Sequence, residues 1–313
     1  MTKNATPVGR FAPTPSGRMH LGNVFAALIA WLSVRSQNGT FLLRMEDLDI
    51  QRTNGENARV LREDLLWLGL DWDEETPPQS GRSPVYEEYF QQLMQMELLY
   101  PCYCTRSQLH SVNAPHLSDG TYVYPGTCRD LTPAQRTTFT RPPAWRLRIP
   151  DRLWTVNDLL QGMYTENLRT DCGDFIVRRS DGLFVYQLAV TVDDALSGVT
   201  EVVRGVDLLS SAPRQMYLQS LLDFPHPAYG HVPLLLAPDG RRLSKRDRDM
   251  DLGYLRTCCT PAQIIGVLAH AAGLIPAPEA VSPQELIGEF SWGKLTPKPI
   301  TVDPSTLELL RQI

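Results

Sequence analysis

The sequence predicts an α/β protein built on a doubly wound parallel sheet. In residues 1–100 strand and helix signals alternate, and a turn-forming stretch follows the first apolar run. The 313 residues are enough for two or three domains, and 42% hydrophobic with 21% charged residues is typical of a folded globular protein. Because this alternation requires crossover helices, we expect the strands to be parallel.

The first strand is predicted at residues 8–12, where the turn-forming run 13–17 ends it. A helix is expected to begin at His20 and to end at the pair Asn38-Gly39. This helix is indicated by apolar residues at three- and four-residue spacing, which are Leu21, Val24, Leu28, Trp31 and Leu32.

The second strand and the second helix follow directly. Residues 40–45 are apolar enough for a buried strand, and the acidic loop 46–49 comes after them. Residues 56–68 have a helical pattern that Gly69 ends. The later predicted elements are strands at residues 184–192 and 199–203 and helices at residues 213–222 and 261–272.

Composition divides the chain into four predicted parts. Residues 1–100 form the first half of the α/β unit, and residues 176–247 form the second half. Residues 101–175 contain a cysteine cluster, several prolines and little periodicity, so we expect an insertion held by a metal. Residues 248–313 are expected to form a small helical C-terminal region.

The net charge of −5 argues against nucleic-acid binding over the whole surface. A local basic patch is enough to bind phosphates, and arginines cluster within residues 129–148 and 241–248. Scattered, solvated arginines are an equally weighted alternative.

No apolar stretch is long enough for a membrane helix, which needs ~18–20 residues. Residues 24–34 form the best apolar run and fit a buried helix, and residues 1–4 do not precede the apolar core of a signal peptide. We therefore expect a cytoplasmic protein without membrane contact.

A phosphate-binding turn is predicted at residues 13–23. His20 and Gly22 lie at the start of a helix, whose free N–H groups and partial positive charge suit an anionic phosphate. The imidazole can donate a hydrogen bond to a phosphate oxygen, and the glycine lets a nucleotide approach the backbone closely. The alternative is an ordinary helix cap with a solvated histidine.

A basic loop at residues 239–247 is the predicted partner of this turn. Lys245 and its flanking arginines can hold the β- and γ-phosphates and the pyrophosphate leaving group. A solvated run of charges is the alternative. Two such motifs in this order are much less probable by chance than either one alone.

Together these motifs resemble those of the class I aminoacyl-tRNA synthetases. Residues 19–22 (MHLG) are similar to the HIGH signature of that family, and residues 242–246 (RLSKR) are similar to its KMSKS loop. Residues 10–17, 43–49 and 203–209 are similar to the glutamyl branch, and the resemblance covers roughly residues 8–250. It implies a Rossmann-type catalytic domain with His20 and Lys245 as the catalytic residues.

The resemblance also implies an ATP site. Its expected residues are His20, Gly22, Asn23, Arg242, Ser244 and Lys245. Both signatures depart from the family pattern: Asn23 replaces the last histidine of the first, and Arg242 and Leu243 replace lysine and methionine in the second. Mg²⁺ is expected on the ATP phosphates.

A glutamate pocket follows from the same resemblance. Its expected residues are Arg10, Phe11, Ala12, Pro13, Thr14, Glu46, Tyr186 and Arg204. By charge, Arg10 and Arg204 suit the two carboxylates of L-glutamate, Glu46 suits its ammonium, and Tyr186 can donate a hydrogen bond. Structural salt bridges from the two arginines to Glu46 or Asp207 are the alternative.

Cys102, Cys104 and Cys128 predict a structural zinc site, because thiolates are the donors that structural zinc prefers. The chemistry of the donors favours His110 or His116 as the fourth ligand. Resemblance to the short, glutamyl-queuosine type of synthetase instead implies Tyr124, which we follow. Three free buried thiols are the alternative. The other cysteines, Cys172, Cys258 and Cys259, are interpreted as core or incidental residues.

The expected reaction has two steps. L-glutamate reacts with ATP to form glutamyl-adenylate without RNA, and an RNA acceptor then takes the glutamyl group. The chain ends about seventy residues after Lys245, so the anticodon-binding region of a full glutamyl-tRNA synthetase is expected to be absent. The resemblance then implies transfer to the queuosine base of tRNA(Asp) by a monomer, with the zinc-bearing insertion facing the acceptor.

Three alternatives to this function remain. One is a shortened glutamyl-tRNA synthetase that charges a tRNA 3′ end. Another is a catalytically inactive paralogue that binds RNA. The most distant is a small nucleotidyltransferase that shares the phosphate-binding histidine.

Overall fold

The computed structural model describes residues 6–49, 51, 53–105, 107–108, 123–237, 239–241 and 251–302. Its strands are β1 (Val8–Phe11), β2 (Thr40–Arg44), β3 (Glu74–Thr76), β4 (Leu99–Cys102), β5 (Ala144–Leu147), β6 (Leu153–Asp158), β7 (Gly162–Asn167), β8 (Ile176–Arg178), β9 (Glu201–Gly205), β10 (Ala228–Val232), β11 (Leu235–Leu236) and β12 (Ile300–Thr301). Its α-helices are α1 (Leu21–Arg35), α2 (Gly55–Trp67), α3 (Ser83–Gln95), α4 (Pro133–Arg136), α5 (Tyr186–Leu196), α6 (Ser211–Leu221), α7 (Leu252–Cys258) and α8 (Pro261–Ala272).

The central sheet has five strands in the order β10-β9-β1-β2-β3. All of its strand pairs are parallel, which confirms the parallel sheet that the sequence predicted. From β1 the chain builds one side of the sheet with β2 and β3, and it later builds the other side with β9 and β10. The strand order therefore reverses between β1 and β9. Open sheets of this kind bind their ligands in the crevice outside the carboxyl ends of the strands at such a point.

Both faces of this sheet are covered. Phe41 and Leu43 of β2 belong to the hydrophobic core that contains α1, whereas Leu42 belongs to a separate core with Ala212 of α6. Successive side chains of a strand point to opposite faces. Apolar packing on the two faces therefore confirms the doubly wound arrangement.

The junction between β1 and α1 explains the first predicted elements. A Cβ atom on Gly9 would lie 2.3 Å from Cγ2 of Val34, so only glycine lets α1 pack this closely on β1. The helix ends at Arg35, and Asn38 has a left-handed φ of 54°, which confirms the predicted stop. Helix α8 has the predicted bounds, and α6 begins slightly earlier than predicted, at Ser211.

The region between β4 and β8 contains strands that the sequence analysis missed. Strands β4, β5 and β8 form an antiparallel sheet, and β6 pairs with β7 in a hairpin. Asp174, which is 1% exposed, ties this region together by accepting hydrogen bonds from Tyr100 Oη (2.6 Å), Arg129 Nη1 (2.5 Å) and the Ile149 amide (2.9 Å). These strands are only three to six residues long, so each one shows too few alternations for a clear period.

The strand predicted at residues 184–192 is wrong. Tyr186–Leu196 is helix α5, and residues 188–194 of this helix are buried. A continuous apolar run has no period that separates a buried strand from a buried helix. The β-branched residues Val190, Thr191 and Val192 favoured the wrong choice.

The C-terminal region is helical only in its first part. Within residues 251–302, the α-helices end at Ala272, and the chain continues through turns and one 3₁₀ turn, Trp292–Lys294. Prolines at positions 276, 278, 283, 297 and 299 remove backbone donors and account for the lost helix. The chain then adds β12 beside β11. The predicted four-part division of the chain stays a prediction.

Candidate active site

A cavity of about 510 Å³ lies at the carboxyl ends of β1 and β9, where the strand order reverses. The predicted site residues that line it are Arg10, Phe11, Ala12, Pro13, Thr14, His20, Gly22, Asn23, Glu46, Tyr186 and Arg204. The fold thus brings residues from both halves of the sheet to one space. Arg242, Ser244 and Lys245 lie outside the described residues.

His20 is the N-terminal cap of α1. Its Nδ1 accepts a hydrogen bond from the Gly22 amide (3.1 Å), and its own amide donates to Asn23 Oδ1 (3.2 Å). His20 Nδ1 therefore caps the helix, as in the alternative interpretation of this turn. Because Nδ1 is an acceptor, a neutral ring carries its proton on Nε2, which is the atom that can donate to a ligand.

After residues 242–250, which we call the basic segment, the chain returns to His20. Asp251, where the described chain resumes, pairs with His20 in an antiparallel bridge, and the Leu252 amide donates to the Met19 carbonyl (2.9 Å). On the other side of the segment, the Ala237 amide donates to the Arg241 carbonyl (2.8 Å). Both ends of the basic segment are therefore anchored to the described fold.

Arg10 and Arg44 share one buried carboxylate. Asp194 accepts hydrogen bonds from Arg10 Nε (3.1 Å) and Nη2 (3.4 Å) and from Arg44 Nη1 (2.6 Å). Although burial opposes ionisation, the two guanidiniums hold the pKa of Asp194 below its ordinary value. Arg10 thus forms a structural salt bridge, but its partner is Asp194 instead of the expected Glu46 or Asp207.

Glu46 lies at the edge of this charge cluster. It accepts a hydrogen bond from Arg44 Nη2 at 3.2 Å, and its side chain is 9% exposed. Burial raises the pKa of Glu46, while Arg44 and Arg10 act in the opposite direction. Its carboxylate lines the cavity and is available to a cationic group there.

Arg204 has a different environment. Its guanidinium donates to four uncharged acceptors, which are His231 Nε2 (3.0 Å), Gln215 Oε1 (2.9 Å), Tyr186 Oη (3.2 Å) and the Leu208 carbonyl (3.3 Å). The residue is 6% exposed. These contacts fix the guanidinium without neutralising its charge.

His231 and Asp158 stand behind Arg204. His231 Nδ1 lies 2.6 Å from Asp158 Oδ2, and both side chains are buried. Burial lowers the pKa of His231 to about 4, and the nearby Arg204 adds to this effect. Asp158 acts in the opposite direction and raises this pKa. The imidazole is therefore neutral at neutral pH.

Five residues around the cavity were not predicted from the sequence: Arg44, Asp158, Asp194, Gln215 and His231. Arg44 lies within a motif that was recognised, but no role was assigned to it. Asp194 and His231 are polar residues inside apolar runs, at residues 186–196 and 228–236. Titratable residues in such runs are seldom buried without a partner, so this pattern was an available signal.

The predicted metal ligands also come together. The Sγ atoms of Cys102, Cys104 and Cys128 lie within 4.8 Å of one another. Tyr124 Oη lies 3.4 Å from the Cys102 sulfur and 3.9 Å from the Cys104 sulfur. A tetrahedral zinc site with bonds of ~2.3 Å separates sulfur donors by about 3.8 Å, so this donor set fits zinc. His110 and His116 lie outside the described residues.

Arg146 flanks this cluster. Its guanidinium stacks 3.6 Å from the centre of the Tyr124 ring. Burial opposes ionisation of Cys102, but Arg146 and the Tyr124 hydroxyl hold the pKa of its thiol below the ordinary value. Cys172 is not one of the three clustered cysteines; it is buried in a further hydrophobic core with Phe90, Leu147 and Val177, as expected of a core residue.

The parallel sheet and the cavity at its switch point define the class of protein. Residues 8–262 match the family of tRNA synthetases class I (E and Q), catalytic domain. A glutamate tRNA ligase from Elizabethkingia meningosepticum has the same fold, with a TM-score of 0.84 and 27% identity over 98% of this chain and 69% of that chain. The fold is therefore that of a class I synthetase catalytic domain.

Sequence relatives identify the family of this chain within the class I synthetases. The chain is 45% identical to a glutamyl-Q tRNA(Asp) synthetase of Symbiobacterium thermophilum, over 96% of this chain and 98% of the relative. It is 44% identical to a protein of the same name from Nitratidesulfovibrio vulgaris, over 97% and 98%. The chain belongs to the glutamyl-Q tRNA(Asp) synthetase family. Within the described ranges, no helix combines the length and apolar character needed to span a bilayer.

Proposed function

We propose that the protein activates L-glutamate with ATP in the absence of RNA and then transfers the glutamyl group to the queuosine base of tRNA(Asp). A glutamate carboxylate attacks the α-phosphorus of ATP, which gives glutamyl-adenylate and pyrophosphate. An acceptor hydroxyl then attacks the activated carbonyl and releases AMP. Positioning and charge stabilisation supply the rate, because the protein forms no covalent bond.

The charge balance around the cavity is the main support for glutamate as substrate. Arg10 and Arg44 are offset by Asp194 and Glu46, whereas the contacts of Arg204 are uncharged. Of these three guanidiniums, Arg204 is the one that contacts no carboxylate among the described residues, and Asp158 lies behind it on the far side of the His231 ring. Glutamate has one ammonium and two carboxylates and therefore complements this guanidinium.

The pocket residues then take separate roles. Arg204 binds one substrate carboxylate with Tyr186 beside it, and Glu46 binds the ammonium. Arg10 contributes less than predicted, because Asp194 already engages two of its nitrogens. Arg10 together with residues 11–14 forms the rest of the wall.

The nucleotide binds at the start of α1. His20 donates through Nε2 to a phosphate oxygen, Gly22 allows close approach, and Asn23 supports His20 through the helix cap. Lys245 is six residues before Asp251, and six residues span at most about 20 Å. Because Asp251 pairs with His20, we propose that Lys245 reaches the same phosphates, with Arg242 and Ser244 beside it. Mg²⁺ accompanies the ATP as part of the substrate.

One structural zinc ion is proposed in the insertion. Its ligands are Cys102, Cys104, Cys128 and Tyr124, whose donor atoms converge. Four protein ligands leave no open position, so the metal holds the insertion together and takes no part in the reaction.

The names of the relatives support the queuosine base as acceptor, and action on tRNA supports a cytoplasmic location. The fold shared with a glutamate tRNA ligase favours a second candidate, which is charging of a tRNA 3′ end. The two functions share the first step and differ only in the atom that receives the glutamyl group.

Two assays test the proposal. Exchange of labelled pyrophosphate into ATP is expected to require glutamate and no RNA, and its absence would exclude the activation step. Labelled glutamate is then offered to queuosine-containing tRNA(Asp), to queuosine-free tRNA(Asp), and to queuosine-free tRNA(Asp) whose 3′ ribose has been oxidised with periodate. Base transfer is expected to label only the queuosine-containing tRNA. Charging of the 3′ end would also label queuosine-free tRNA, and periodate oxidation would abolish that label.

A further inference from the structure

We propose that Asp158 and His231 form a positioning pair that fixes the tautomer of His231 and so presents the charged Arg204 to the substrate carboxylate. This inference rests on the proposed function for its kinetic consequence. Asp158 comes from the β6–β7 hairpin of the insertion, whereas His231 and Arg204 lie on β10 and β9 of the central sheet. The pair therefore links the insertion to the pocket.

The orientation of the Asp158 carboxylate is determined by backbone donors. Its Oδ1 accepts hydrogen bonds from the amides of Leu160 (3.0 Å), Gln161 (2.9 Å) and His231 (3.1 Å). Its Oδ2 is thereby directed at His231 Nδ1, 2.6 Å away. A carboxylate oxygen only accepts, so the proton lies on Nδ1 of the imidazole.

That proton position determines what Arg204 contacts. A neutral imidazole with its proton on Nδ1 has a lone pair on Nε2, which accepts from Arg204 Nε at 3.0 Å. The other tautomer would direct an N–H at the guanidinium, and two donors would then oppose each other. The ring has no freedom to turn away, because His231 is fully buried and stacks against Tyr229.

A neutral acceptor at this position affects both the charge and the orientation of the Arg204 guanidinium. A carboxylate in place of His231 would fix the Arg204 guanidinium equally well but would neutralise it. The imidazole orients the same guanidinium and leaves its charge for the ligand. Asp158 keeps its own charge one residue further from the pocket, behind the ring.

Asp158→Asn tests this arrangement with almost no change in shape. The three backbone N–H groups still donate to the side-chain oxygen of the asparagine. Its NH₂ group therefore faces His231 Nδ1, and the ring proton moves to Nε2. We expect the KM for glutamate in ATP–pyrophosphate exchange to rise at least tenfold, while the KM for ATP changes less than twofold. Equal changes in both constants, or none, would overturn the proposal.

Asp174→Asn is the matched control. Asp174 is also a buried carboxylate with several donors, but it lies in the insertion away from the cavity. We expect this variant to lose stability without any change in the KM for glutamate. An equal rise in that KM for both variants would identify a general structural effect and overturn the positioning role.

Nitrogen NMR of protein labelled in its histidines reads the tautomer directly. We expect His231, assigned by the signals lost in His231→Gln, to be protonated on Nδ1 and bare on Nε2 in the unsubstituted protein. A proton on Nε2 would overturn the proposal even if Asp158→Asn does not fold. Because this measurement needs no substrate, it separates failure of the pair from failure of the proposed function.

Discussion

Asp194 accepts two hydrogen bonds from Arg10, at 3.1 Å from Nε and 3.4 Å from Nη2, and so joins helix α5 to the carboxyl end of β1. The same carboxylate also pairs with Arg44. Asp194 therefore contacts both buried guanidiniums beneath the cavity, and Glu46 supplies the second negative charge through Arg44. A buried charge that loses its partner is costly, which makes Asp194 a sensitive point of the fold.

Asp194→Asn is expected to destabilise the protein by about 3–5 kcal/mol, because Arg10 and Arg44 lose the charge that offsets them. Urea denaturation measures this loss. Asp181→Asn is the matched control, since Asp181 forms an exposed ion pair with Arg179, and exposed pairs contribute only about 0–1 kcal/mol. Similar losses in the two variants would mean that the buried cluster contributes little.

Two substitutions of His20 separate its cap from its chemistry. His20→Ala is expected to lower kcat for exchange about 10²-fold or more by removing the Nε2 donor, and to cost about 1 kcal/mol by removing the cap. His20→Asn restores a capping side chain without a donor at the phosphate, so we expect the same loss of kcat with normal stability. Full activity of His20→Asn would contradict a role for the ring in phosphate binding.

The purified protein is expected to contain about one zinc per chain, measured by elemental analysis. Cys102→Ser should lose this zinc, and Tyr124→Phe should release it faster to a chelator, because three thiolates remain without the phenolic oxygen. Cys172→Ser, which removes a buried thiol outside the cluster, should retain the metal. Unchanged release from Tyr124→Phe would assign the fourth ligand to another residue.

Acidification is expected to destabilise the protein through His231. Its pKa is about 4 in the folded protein against an ordinary 6.5, so between these pH values the unfolded chain binds a proton that the folded protein does not. Stability is therefore complete above pH 6.5 and falls as the pH approaches 4. Between pH 7 and pH 5 the unsubstituted protein should lose about 2 kcal/mol more than His231→Gln in urea denaturation. Parallel losses would indicate an ordinary pKa.

Much of this architecture follows from the sequence, and the failures have physical causes. The signal for α1 was strong because apolar spacing, a capping residue and the Asn38-Gly39 stop agreed. Helix α5 was mistaken for a strand because a short, mostly apolar run has no informative period. Its Asp194 was consequently not expected at the site.

Motif residues were easier to anticipate than their partners. Arg10, His20 and Arg204 are near recognisable turns and strand ends, and all three line the cavity. The residues that hold them, Asp194 and His231, are distant in sequence and follow only from the three-dimensional arrangement. The binding roles of the cavity residues stay predictions until the assays above are done.

The pairing of β11 with β12 has a consequence for how this gene can be shortened. Leu235 of β11 lines the cavity, and the Ile300 and Val302 amides donate to the carbonyls of Leu234 (3.0 Å) and Leu236 (2.8 Å). A stop codon placed before Ile300 would remove both hydrogen bonds and expose an unpaired edge next to the cavity. Deletion mapping from the 3′ side should therefore reach an abrupt functional limit at this strand, long before any residue that touches substrate is lost.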